Sequence, residues 1–226
     1  GTLFHGFVLQ KNVRTVQLEI QEALEKVYHK KITIYAASRT DAGVHALAQV
    51  FHFDAPSHIP EKNLFHALNS KLPKDIYVNS VAYVDVSFHA RFLAVRKIYQ
   101  YKLHVNEYLP LRRNYMHFYY KRPALDIEKM KEAARLLIGT HDFRSFAKIS
   151  KKEDTVRTIY RIDFIVVDND ITIEFEGNGF LHNMIRIIVG MLLEVGRGKV
   201  TSSAIKEILA EKNRIYAPKV APACGL

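Results

Sequence analysis

Residues 32–53 read Ile-Thr-Ile-Tyr-Ala-Ala-Ser-Arg-Thr-Asp-Ala-Gly-Val-His-Ala-Leu-Ala-Gln-Val-Phe-His-Phe. Two β-prone runs, 32–37 and 47–53, flank a short charged stretch in which Asp41 stands between Arg39 and Gly43. An ionised Asp or Arg is costly to bury without a partner, so this stretch is a loop and not core. Gly43 supplies the turn, and a solvated loop with Asp41 as a turn residue accounts for the tripeptide alone. A carboxylate held between two strands is also a place where chemistry can be done.

Outward from this hairpin the chain repeats a pattern. Val13, Val16, Ile20, Leu24 and Val27 recur at helical spacing, and Thr15 is placed to cap that helix. A second helix is expected from Pro60, burying Leu64, Phe65 and Leu68, followed by a strand over 76–84. In the second half, 97–105 alternates as a strand and Asp126 opens a helix that buries Met130, Ala133, Ala134, Leu137 and Ile138 up to Gly139. Residues 158–167 and 171–176 read as a hairpin across Asp168-Asn-Asp170, then 180–195 and 201–210 as helices. The order predicts an α+β fold of two ferredoxin-like, split βαβ halves, 1–90 and 91–226.

The 226 residues are 48% hydrophobic and 25% charged, which describes a folded globular chain and not a disordered one. The richest apolar run, Met184 to Val195, is broken by Arg186 and Glu194 and reads as a buried helix, so no membrane partner is expected. A single cysteine, Cys224, cannot form an internal disulfide, which points to a reducing, cytoplasmic compartment. Net charge is +10, with 15 Lys/Arg against 9 Asp/Glu over 1–113 and 18 against 14 over the remainder. An excess shared between the halves suits a basic surface facing a polyanion. Arg144, Lys148, Lys151, Lys152, Arg157 and Arg161, opposed locally only by Glu153 and Asp154, form a candidate phosphate-contacting ribbon.

Several chemistries are unsupported. Gly196-Arg-Gly-Lys199 runs into Val200 and lacks the upstream glycine of a phosphate-binding loop. Gly177-Asn-Gly179 lacks the third glycine of a dinucleotide fingerprint. The eleven histidines form no metal-binding pair or Cys/His cluster, so neither a metal nor a cofactor is expected.

The nine residues Ser38-Arg-Thr-Asp-Ala-Gly-Val-His-Ala46 resemble the catalytic motif of the tRNA pseudouridine synthase A family, which usually has glycine where Ser38 stands. The likeness continues in order through Asn69-Ser-Lys-Leu-Pro-Lys-Asp-Ile76, Phe88-His-Ala-Arg-Phe92, Lys97-Ile-Tyr-Gln-Tyr101, Gly139-Thr-His-Asp-Phe-Arg-Ser-Phe146 and Gly179-Phe-Leu-His-Asn-Met-Ile-Arg186. It implies that the halves join into one mixed sheet with a central cleft and helices on the outer face. It also implies end strands entering at Thr2 and continuing past Leu226, so the chain is expected to be shortened at both ends.

The implied reaction isomerises uridine in the tRNA anticodon arm, on the 3′ side of the anticodon. Uracil leaves C1′ through N1, turns, and rejoins through C5, with no cofactor. The resemblance assigns the essential carboxylate to Asp41, and three roles are compatible with it: attack on the sugar, attack on the base, or removal of a ribose proton. Arg186 matches the arginine that pairs with it, and Tyr99 the tyrosine that stacks on the flipped base. Tyr101, two residues on, is expected to be packing. Arg39 matches the residue that takes up space near the extruded nucleotide, and Ile185 is expected to close the apolar floor. A homodimer sharing one tRNA is also implied. The alternatives are a non-catalytic ferredoxin-like RNA-binding module, whose aromatic-rich signature string is absent here, and an RNA-processing enzyme of another chemistry.

Overall fold

The computed structural model describes residues 1–120, 123–148 and 154–226. They form two compact units, Gly1–Ala94 and Val95–Leu226. The class is α+β: five α-helices, a two-stranded sheet and a mixed five-stranded sheet are found among the described residues. No helix among them is long and apolar enough to cross a membrane.

In the first unit, helix α1 (Val16–Tyr28) starts where Thr15, itself fully buried, accepts a bond from the Leu18 amide. His29 ends it in a left-handed conformation at φ 54°. Helix α2 (Glu61–Lys71) follows Pro60 and buries Leu64 and Leu68, while Phe65 is half-buried. These faces enclose Phe7, Ile32 and Ile34 with Ile20, Ala23, Leu24 and Tyr28 in one apolar cluster.

The strands of this unit are shorter than their residue types predict. Only β1 (Tyr35–Ala36) and β2 (Phe51–His52) pair, antiparallel, with Tyr35 opposite His52 and Ala36 opposite Phe51. Ile32 and Ile34 are buried as strand residues would be, yet the Ile34 amide and carbonyl are held by Gln21 and Gln17 of α1, each at 3.4 Å. The expected strand over 76–84 is not formed. The side-chain amide of Asn69 takes the place of a neighbouring strand, accepting from the Val78 amide at 2.9 Å and donating to its carbonyl at 3.0 Å. Glu61 accepts from the Tyr83 amide at 2.8 Å. At Val78 and Tyr83 the backbone partners are side chains and not a neighbouring strand.

The second unit is built on a sheet of order β4-β3-β7-β6-β5. Its strands are β3 (Lys97–Val105), β4 (His117–Tyr119), β5 (Gly139–Asp142), β6 (Val156–Val167) and β7 (Asp170–Gly177). All neighbours are antiparallel except β3 and β4. β6 and β7 close through Asp168, which takes φ 52° as a tight turn requires. Helices α3 (Ile127–Arg135) and α4 (Met184–Gly196) cover one face, packing Met130, Ala133, Ile187, Ile188 and Leu192 onto Tyr101, Leu103, Ile171, Ile173 and Phe175. Helix α5 (Ala204–Glu211) adds Ile205 and Ile208. α3 stops at Arg135, earlier than expected. Leu137 remains fully buried, but Ile138 has left the helical face and is 39% exposed before Gly139 opens β5 at φ +109°.

β4 and β5 were not legible as strands. Alternation in β3 also fails at one position, because His104 points away from the core and is nevertheless only 4% exposed. Its Nδ1 lies 2.5 Å from Asp170, its cross-strand partner, and Asp170 in turn accepts from Arg112 at 2.6 Å. The aromatic ring of Phe118 covers it at 5.5 Å.

Asn69→Ala should remove two partly buried bonds and leave Val78 unpaired. We expect a loss of about 1–3 kcal/mol in denaturant titration, with faster hydrogen exchange at Val78. Unchanged exchange would show that Asn69 is not what holds this segment.

Candidate active site

Asp41 is half-buried in the loop between β1 and β2. The loop is fixed from two sides. Residues 4–7 run beneath it: the Phe7 amide donates to the Thr40 carbonyl at 3.1 Å, and Gly43 donates to the Phe4 carbonyl at 3.3 Å. Gly6 makes this approach possible, since it sits at φ +90° and a Cβ there would stand 2.8 Å from the Thr40 carbonyl oxygen. On the other side Gln49 donates to the Ser38 carbonyl at 2.6 Å, and Val44 is buried. Gly43 turns the chain at φ +78°, and the Val44 amide closes back on the Asp41 carbonyl at 3.2 Å. Ser38, the departure from the family glycine, is not among the residues with positive φ, so its side chain meets no backbone strain. Arg39 extends into solvent from the same loop.

The 4–7 segment is anchored by Arg14. Its guanidinium lies 4.2 Å over the Phe4 ring and bonds Asp75 at 2.7 and 2.9 Å and Glu19 at 2.5 Å. Asp75 is held below the usual carboxylate range, chiefly by these bonds from Arg14, against an opposing cost of burial.

In the second unit Tyr99 lies on β3, half-buried, with its ring edge-to-face against Phe180 at 5.2 Å. Tyr101 on the same strand is fully buried and donates to the Pro222 carbonyl at 3.0 Å; burial pushes its phenol far up. That environment suits packing. Ile185 is 3% exposed within the α4 core. Beside it Arg186 is half-buried, in the first turn of a helix that is otherwise apolar up to Glu194. A cation there faces the positive end of the helix dipole, an opposition of about 0.3–1 kcal/mol. Acceptors compensate: Nε donates to the Ala221 carbonyl at 2.8 Å and Nη1 to Asn183 Oδ1 at 3.2 Å. Neither partner was singled out from sequence. Asn183 carried a weak signal, being a helix-capping residue type directly before an apolar run.

Of the basic ribbon, Lys148 is exposed and Arg144 half-buried at the 3-10 turn 144–146. Arg157 donates to the Val156 carbonyl at 2.6 Å and lies 3.7 Å from Asp154. Lys151 and Lys152 lie outside the described residues. Arg161 is surrounded by carboxylates, Asp163 on its own strand with Glu174 and Glu176 across the β6–β7 pair at 2.8 and 3.2 Å. The linear window holds only Glu153 and Asp154; Asp163 lies just beyond it, and the sheet brings in Glu174 and Glu176.

A family model described as tRNA pseudouridine synthase matches residues 1–93 and 133–226, which takes in the Asp41 loop, Tyr99 apart, and all of α4. Over its full length the chain is 48% identical to tRNA pseudouridine synthase A of Bacillus pumilus, covering 92% of that protein. It is 47% identical to the same-named protein of Thermoanaerobacter sp. strain X514, covering 93% of it, and 44% to that of Anoxybacillus flavithermus, covering 92%. The chain belongs to the tRNA pseudouridine synthase family. It is thus an isomerase acting on uridine in tRNA.

The Asp41 loop rests on the backbone at Gly6. Gly6→Ala should strain the backbone and push on Thr40, at a cost of about 1–3 kcal/mol, and lower kcat. A variant matching the parent in both would show that this contact does not hold the loop. Asp75, depressed in the folded state, contributes stability above its unfolded value near 3.9 and loses it as pH falls through the folded value. Asp75→Asn should therefore flatten the acid side of the stability profile; denaturant midpoints at pH 7 and pH 3 test this.

Proposed function

We propose that this enzyme isomerises uridines of the tRNA anticodon arm, 3′ of the anticodon, with Asp41 as the reacting carboxylate. The observation that carries the reading is the half-buried Asp41 on a loop whose backbone is clamped by residues 4–7 and Gln49, within a motif that departs from the family's only at Ser38. A carboxylate must stay ionised to attack the sugar or base or to remove a proton, and a site dry enough for a flipped base disfavours that charge. Arg186 is the cation that opposes this in our reading, because a neighbouring positive charge favours the ionised form. Its two-point fixation supports that role.

Tyr99 stacks on the extruded uracil, Ile185 closes the floor beneath it, and Arg39 fills the space near the vacated position. Arg144, Lys148, Lys151, Lys152 and Arg157 contact phosphates. In this reading the two units are the ferredoxin-like halves 1–90 and 91–226. The enzyme acts as a cytoplasmic homodimer and needs no metal or cofactor.

Release of label from tRNA carrying a hydrogen isotope at uracil C5 reads the reaction directly, since isomerisation replaces that hydrogen. Asp41→Asn should bind tRNA normally and release none; measurable turnover would overturn the assignment. Arg186→Met should move the acid limb of the pH–rate profile upward and recover part of its rate at higher pH. An unshifted limb would remove Arg186 from this role.

A further inference from the structure

Asn183 adopts φ 62°, ψ 3°, left-handed geometry that side chains other than Asn and Asp seldom accept. It stands at the N-cap of α4, yet its side chain caps no helix amide. Its Oδ1 instead accepts from Arg186 Nη1 at 3.2 Å. At the other edge of the guanidinium, Nε donates to the Ala221 carbonyl at 2.8 Å, and the Ala221 amide donates back to the Arg186 carbonyl at 3.0 Å.

Ala221 is itself held on several sides. One turn along α4, a Cβ at Gly190 would stand 2.2 Å from the Lys219 carbonyl oxygen, so only glycine lets the segment approach this closely. The next carbonyl, Pro222, accepts from Tyr101 of β3. Cys224 Sγ contacts the Met116 carbonyl at 3.3 Å, and a Cβ on Gly225 would strike the Tyr101 ring at 2.5 Å. The guanidinium is a rigid plane, so fixing Nε and Nη1 fixes the direction of the whole group.

We propose that Asn183 and the main chain at Ala221 are positioning groups that aim the Arg186 guanidinium. This rests on the reading of Arg186 given above. The residue type at 183 follows from chemistry. Glycine would accept the backbone conformation but offer no acceptor. Aspartate would offer an acceptor but also a charge that competes for the cation. Asparagine gives left-handed tolerance with a neutral acceptor, and leaves the positive charge to act on a carboxylate elsewhere.

The test compares Asn183→Gly, Arg186→Met and the double variant in full-length enzyme, using C5-label release across pH with thermal melts. Asn183→Gly should melt near the parent and bind tRNA with unchanged KM. Its kcat should fall on the order of ten- to a hundredfold, the scale of a misaimed group, and its acid limb should move upward. Added to Arg186→Met it should cost nothing further. Asn183→Asp should move the limb the same way. Gly190→Ala, which displaces Lys219 and so Ala221, should reproduce the pattern by a second route.

If Arg186→Met lowers turnover and moves the limb while Asn183→Gly does neither, the positioning inference is overturned and the Arg186 reading stands. If Asn183→Gly costs the same with or without Arg186, its effect is structural and the inference is likewise overturned. An Arg186→Met enzyme with the parental rate and limb would overturn both.

Discussion

A guanidinium set into the first turn of an apolar helix is the constraint around which the second unit is arranged. α4 is the centre of the core, with eleven of its thirteen residues buried and its flanks packed on the sheet and on α3. Placing a charge there requires acceptors that the helix cannot provide at that end, because its own carbonyls point the other way. The chain meets this with a left-handed asparagine just before the helix and with a segment 35 residues further on. Gly190 and Tyr101 then become necessary in turn, one to admit that segment and the other to hold it.

The first unit solves a different problem with different means. The Asp41 loop is irregular and is still held to a fixed shape. Sheet hydrogen bonds are few, so side-chain amides supply what a ladder would: Gln17 and Gln21 at Ile34, Gln49 at Ser38, Asn69 at Val78. Each of these is a bond between a flexible side chain and a backbone group, and each needs burial around it to be kept. Leu24, Leu64 and Leu68, nearly inaccessible to solvent, pack in the cluster that includes Ile34 and Val78.

What the sequence made legible divides along the same lines. Helices announced themselves through periodicity and caps, and Thr15 and Asp126 cap as their residue types predict. The long strands of the second unit were read to within two residues, because β-branched alternation survives wherever a strand pairs on both sides. Residues 76–84 have the same composition without a strand partner, and composition does not distinguish the two. The short strands β4 and β5 carry too few residues for a period. Asp41 and Tyr99 stood out through the family motif and Arg186 also as a charge in an apolar run, whereas their supports include the Gly6 backbone, the Ala221 carbonyl and the side chains of Gln49 and Asn183. A backbone conformation or a main-chain carbonyl has no side-chain signature. Arg161 shows the converse case, a cation of the linear ribbon whose carboxylate neighbours include Asp163 of its own strand and Glu174 and Glu176 of the next.

The side-chain pairing at Val78 bears on how the molecule behaves in a crowded solution. An extended segment with open amides and carbonyls is a template on which a second chain can add a strand. Along 76–84 the Val78 pair is already occupied by Asn69 and the Tyr83 amide by Glu61. An amide side chain can close one residue's hydrogen bonds but cannot propagate a ladder. The edge along 76–84 is therefore interrupted at Val78 and Tyr83, where an added strand would find the backbone groups already taken.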